Sequence, residues 1–139
     1  MKDWDIKTIV LGYDGSEGAD EAVCLASTLA RQHNARIFVV TAFQGVHIDG
    51  LGEQASREIA AAQVTARELV FKLRAAGIEA EPEALEGPAG DALLRVAETR
   101  GADLVVIGRR GHGLVAGLLL GSTSEHVVRR AKVPVLVAH

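Results

Sequence analysis

Apolar residues along this chain alternate between short continuous runs and long periodic stretches, the pattern of strands interleaved with amphipathic helices. Ile9-Val10-Leu11, within Ile6 to Tyr13, is a continuous run and predicts a strand buried on both faces. Asp14-Gly15-Ser16-Glu17-Gly18 then turns the chain. Ser16 is placed to cap a helix, and Asp20 and Glu21 to complement its dipole. Ala19, Ala22, Val23, Ala26, Leu29 and Ala30 keep one face of that helix apolar to about His33. Ile37 to Phe43 predicts a second strand, and the glycine-rich stretch Gln44 to Gly52 a loop. Ala55, Ile59, Ala62, Ala66, Leu69 and Leu73 then recur at helical spacing, with Gly77 where a C-cap belongs. Ile78 to Leu85 alternates weakly around Pro82 and fits only an edge strand. Gly87-Pro88 opens a third helix, with Leu93, Val96 and Ala97 facing inward and an end near Gly101. Asp103 introduces Leu104-Val105-Val106-Ile107, a second fully buried strand. A glycine-rich loop, a short helix from about Ser122 to Ala131 and a strand from Pro134 to Ala138 complete the chain.

Helices between successive strands require parallel pairing, because a parallel connection must cross over the sheet. The fold class is therefore α/β, an open parallel five-stranded sheet. Residues 1–139 suffice for one such domain. The first and fourth strands, the most continuously apolar, belong at its centre. Ligands of such sheets bind beyond the carboxyl ends of the strands, where the strand order reverses. That rule brings Gly12-Tyr13-Asp14-Gly15-Ser16 beside Gly108-Arg109-Arg110-Gly111-His112-Gly113.

Composition narrows the partners. A net charge of −3 lacks the basic field of a non-specific nucleic-acid binder. Trp4, Tyr13, Phe38, Phe43 and Phe71 are too few for base-stacking platforms. Cys24 is the sole cysteine, so no internal disulfide forms. With a polar start and no apolar run near the ~20 residues of a membrane span, the expected location is the cytoplasm.

Glycines at 108, 111, 113, 117 and 121 lead into Ser122-Thr123-Ser124 at a helix start. Glycine lets backbone N–H groups approach an anion, and the helix N-terminus adds donors and a favourable dipole. Ser122 and Thr123 supply hydroxyls, and Arg109 and Arg110 positive charge. Blander readings stand beside these. Asp14 is a common turn former at a strand end. Ser122 with Glu125 makes a capping box, Ser122 the cap itself. Gly113 and Gly117 fit a flexible loop, although Leu114, Val115, Leu118, Leu119 and Leu120 within it call for a packing surface. His112 and His126 lack metal-ligand spacing, His33 and His47 fit solvated positions, and Cys24 has no basic activator.

Gly108-x-x-Gly111, nine residues, then Gly121-Ser122 resembles the nucleotide-binding signature of the universal stress protein (UspA-like) family. The resemblance extends to Asp14-Gly15-Ser16, Ala102 to Gly108 and Val133-Pro134-Val135-Leu136-Val137. It implies a Rossmann-like sheet of order 3-2-1-4-5, related to the adenine nucleotide alpha hydrolases. It also implies binding of ATP, in principle with Mg2+, and a homodimer formed through the last strand, Pro134 to Ala138. By position, Asp14 matches the acid that hydrogen-bonds the ribose or adenine end, and Ala42 a backbone contact to adenine. Gly108, Arg110 and Gly111 match the ribose and phosphate loop, and Gly121, Ser122 and Thr123 the phosphate-binding helix start. Gly12 stands where some ATP-binding members have proline, and Arg110 where some have histidine. Pro134 removes one donor from the last strand, which independently marks it as an edge that a two-fold partner can cover.

Three functions compete. The first is a non-enzymatic adenine-nucleotide-binding protein of the stress response. The second is an ATP-hydrolysing or adenylyl-transfer enzyme. Against it, there is no GxxxxGK[ST] loop lysine, and Asp103 lies at the wrong end of its strand to hold Mg2+ with Asp14. The third is a protein-interaction module without nucleotide, disfavoured by the intact glycine pattern. Gly111-His112-Gly113-Leu114-Val115-Ala116 matches a dinucleotide fingerprint but follows the fourth strand instead of the first. Asp14 to Gly18 lacks the first glycine of a serine-hydrolase elbow.

Overall fold

The computed structural model describes residues 3–44, 52–109 and 121–138. Its elements are β1 (Thr8–Gly12), α1 (Glu17–His33), β2 (Arg36–Phe43), α2 (Gly52–Ala75) and β3 (Ala80–Glu86). They continue with α3 (Ala89–Thr99), β4 (Leu104–Gly108), α4 (Ser122–Arg130) and β5 (Val135–Ala138). The strands form one parallel sheet of order β3-β2-β1-β4-β5. The two most apolar strands, β1 and β4, are neighbours at its centre, and the Pro82 strand is an edge. The expectations for Gly45 to Leu51, and for the loop residues Arg110 to Leu120, lie outside the described residues.

Alternation along the central strands divides the core. Ile9, Leu11, Leu104 and Val106 face α1 and α2, packing on Ala22, Ala26, Ala66, Leu69 and Leu73. Val10, Val105 and Ile107 face α3 and α4, packing on Leu93, Val96, Ala97 and Val127. The fully buried positions of α1 facing the sheet are small, with Ala22 and Ala26 fully covered, while Val23 and Leu29 pack on the same core from its margins. Among the described residues no helix is long and apolar enough to cross a membrane.

The first three helices end alike. Asn34, Gly77 and Gly101 take left-handed backbone, with φ of 55°, 83° and 61°. The next N–H in each case, from Ala35, Ile78 or Ala102, returns to the carbonyl of Ala30, Leu73 or Ala97 at 2.9–3.0 Å. This Schellman closure satisfies carbonyls that a helix end leaves open and turns the chain into the next strand. The C-cap expected at Gly77 is thus present, and Asn34 does the same work with a side chain.

Asp103 belongs to this amino end of the sheet. Its Oδ2 accepts from the Lys7 and Thr8 amides at 2.9 and 3.0 Å, and its own N–H donates to the Thr8 carbonyl at 2.9 Å. One carboxylate therefore aligns the starts of β1 and β4. Asp103→Ala should cost about 1.5–3 kcal/mol in urea unfolding, the worth of hydrogen bonds to a charged acceptor. Asp103→Asn, which keeps an acceptor, should lose less.

Candidate functional site

The carboxyl ends of β1, β2 and β4 lie at the opposite edge. Gly12 closes β1, paired with Val40 of β2, and the Tyr13 N–H donates to the Val40 carbonyl at 3.0 Å. A Cβ on Gly12 would lie 3.0 Å from Leu93 Cδ1 and 3.1 Å from Ile107 Cγ2, so close packing of α3 accounts for glycine there. Asp14 is exposed just beyond, and its Oδ1 accepts from the Ser16 N–H at 2.9 Å. Ser16 Oγ in turn accepts from Ala19 N–H at 3.3 Å, which makes it the expected cap of α1. The turn-forming role of Asp14 is therefore real, and it holds that carboxylate at the strand end. Ala42 is half-buried at the end of β2, on the other side of β1 from β4. Beside it, the buried Thr41 hydroxyl donates to the Ala62 carbonyl at 3.0 Å and ties α2 to this strand end.

At Gly108 two helix starts converge on the end of β4. A Cβ there would stand 2.7 Å from the Gly18 carbonyl oxygen in the first turn of α1, a distance side chains do not tolerate. From the other direction, Gly121 N–H donates to the Arg109 carbonyl at 2.9 Å. Ser124, 3% exposed, has its hydroxyl 2.6 Å from the Gly108 carbonyl oxygen and 3.0 Å from that of Arg109. Both lie on the acceptor side, so the hydroxyl proton is shared between two strand-end carbonyls. The first turn of α4 is in this way fastened to β4.

One expectation needs correction. The N-cap of α4 is Gly121, in extended backbone, and Ser122 is the first helical residue. Ser122 therefore does not form the capping box. Glu125 pairs instead with Arg129 at 2.8 Å, one turn along the helix. The Ser122 hydroxyl is consequently not consumed as the cap of its own helix.

The structure thus brings Gly12, Asp14, Gly108, Gly121, Ser122 and Thr123 to one edge of the sheet, with Ala42 at the same edge. Arg110 and Gly111 lie outside the described residues. Among the described residues no group of three or more His, Cys, Asp or Glu side chains could hold a metal ion. Tyr13 also belongs to this edge. Burial pushes its hydroxyl above the ordinary value of 10.0, and Asp20, Asp14 and Glu68 push the same way. Sequence reasoning missed the Tyr13 environment and the Ser124 clamp. Ser124 was findable, because it shares a helix face with the core residue Val127 and yet is polar.

Comparison with known proteins agrees with this geometry. Residues 5–139 match the model of the universal stress protein family. A universal stress protein of Thermus aquaticus is 39% identical over 135 residues, covering 94% of this chain and 97% of its own. UspA of Lactobacillus plantarum has the same fold, with a TM-score of 0.86 at 22% identity over 96% of this chain and 98% of its own. A universal stress protein solved in complex with cAMP is 33% identical, with a TM-score of 0.76 over 97% of this chain and 98% of its own. With a family match over nearly the whole chain and a relative of equal span at 39% identity, this chain belongs to the universal stress protein family.

Proposed function

We propose that the chain binds an adenine nucleotide, with ATP the expected ligand, and that the phosphates lie over the first turn of α4. The observation that carries this reading is the fastening of the α4 start to the end of β4 through Gly121 and Ser124. It holds a helix N-terminus, with its amides and dipole, at the edge where open α/β sheets take ligands. The 33% identical relative solved with cAMP supports the adenine end of the assignment. In this arrangement Gly121, Ser122 and Thr123 receive phosphate oxygens, and Gly108, Arg110 and Gly111 the ribose and nearer phosphate. Asp14 accepts from a ribose hydroxyl, Ala42 meets adenine through its backbone, and Gly12 lies beneath. Because Asp103 is committed to the amino end, a Mg2+ ion arriving with ATP would rest on phosphate oxygens, with Asp14 a candidate carboxylate at the same edge of the sheet.

The same reading makes the protein a nucleotide-responsive component of the cytoplasmic stress response instead of an enzyme with rapid turnover. The absent loop lysine supports that. It also makes the protein a homodimer through β5, whose outer edge is short, apolar and next to Pro134. Sedimentation equilibrium at micromolar concentration should return twice the chain mass, and a monomer mass would contradict pairing.

Calorimetric titration of nucleotide-free protein is expected to show ATP binding. Ser122→Ala should weaken it about tenfold, the worth of one charge-assisted hydrogen bond, and Gly121→Val should abolish it by crowding the helix start. No heat at millimolar ATP would contradict the site. Phosphate release well above a blank, lost in Ser122→Ala, would move the assignment to an ATPase.

A further inference from the structure

Two helices meet behind the candidate phosphate end at a point that glycine alone permits. A Cβ on Gly90, in the first turn of α3, would stand 2.6 Å from His126 Cδ2 and 3.2 Å from His126 Cγ. The His126 side chain of α4 therefore packs closely against the α3 backbone at Gly90. The next residue of α3 holds the ring, with His126 Nε2 2.7 Å from Asp91 Oδ1. His126 follows Ser122 by one helical turn, so the two side chains share a face of α4. Helical side chains lean towards the N-terminus, so whatever positions His126 also positions the turn that carries Ser122 and Thr123.

Resting on the nucleotide reading above, we propose that the Gly90–Asp91–His126 contact is a positioning device for the phosphate end of the site. α4 has only nine residues, so its placement relies on few attachments. Ser124 sets its distance from β4, and Val127, fully buried, anchors it in the core. Neither of these fixes rotation of the helix towards or away from α3. The imidazole does, through a steric limit at Gly90 and a directional hydrogen bond at Asp91. Donors at a helix start lose their alignment to phosphate when the helix shifts by a fraction of an ångström. The contact therefore acts on phosphate affinity without touching the ligand, and it should leave recognition of the adenosine moiety alone.

The test compares ATP with adenosine in four variants, each checked by thermal melting. Asp91→Leu removes the acceptor and Gly90→Ala inserts the clashing carbon. Both should weaken ATP about tenfold, as expected for one misaligned charge-assisted hydrogen bond, while changing adenosine affinity by less than about twofold. Asp91→Asn keeps an acceptor and should bind ATP like the unsubstituted chain. Gly90→Ala combined with His126→Ala removes the clash together with the hydrogen bond and should bind ATP no more weakly than Asp91→Leu, whereas independent defects would multiply. Should Gly90→Ala fail to fold, the Asp91 pair of variants decides alone. Parallel losses for ATP and adenosine, or unchanged ATP affinity in folded Asp91→Leu, would overturn this inference and leave the nucleotide site standing. Failure of the unsubstituted chain to bind either ligand would overturn both.

Discussion

At the carboxyl end of β4 the backbone has no room for a side chain, because a Cβ on Gly108 would stand 2.7 Å from the carbonyl oxygen of Gly18. That approach draws the start of α1 against the strand on one side. On the other, Ser124 and Gly121 fasten the start of α4 to the carbonyls of Gly108 and Arg109. Two helix N-termini thereby converge where the central strands end, and their dipoles add in the same direction. A bulkier residue at 108 would force α1 outward, and with it the cap that holds Asp14 in place.

The two edges of the sheet are built from opposite chemistry. At the amino edge, helix C-termini close on themselves through Asn34, Gly77 and Gly101, and Asp103 fills the amides of Lys7 and Thr8. At the carboxyl edge, Ser16 caps α1, but the cap of α4 is a glycine with no side chain to offer. Both α3, after Pro88, and α4, after Gly121, begin without a side-chain cap bond, and of these α4 is the one that follows the glycine-rich segment. A helix start without a side-chain cap keeps amides able to meet an anion despite a net charge of −3, which is the basis of the proposed phosphate position.

Much of this was legible in the sequence, for identifiable reasons. The uninterrupted apolar runs at Ile9 to Leu11 and Leu104 to Ile107 could only be strands covered on both faces, which put them at the centre. Pro82 marked β3 as an edge because it cannot donate to a ladder on both sides. Gly77 ended α2 because it accepts left-handed backbone. Local pattern misread Ser122, whose spacing to Glu125 imitates a capping box, because the true cap depends on a tertiary bond from Gly121 to Arg109. It was also silent on Gly90 and His126, which are 36 positions apart in the chain and meet only once α3 and α4 pack. Pairings across such separations leave no trace in periodicity.

The central claim is that phosphate sits on the first turn of α4, and backbone amide NMR during ATP titration tests it most directly. The account predicts large shifts at Gly121, Ser122, Thr123 and Gly108, larger for ATP than for adenosine, with the amides of Lys7 and Thr8 unmoved. Shifts centred on the amino edge, or none at the α4 start while ATP binds, would contradict it.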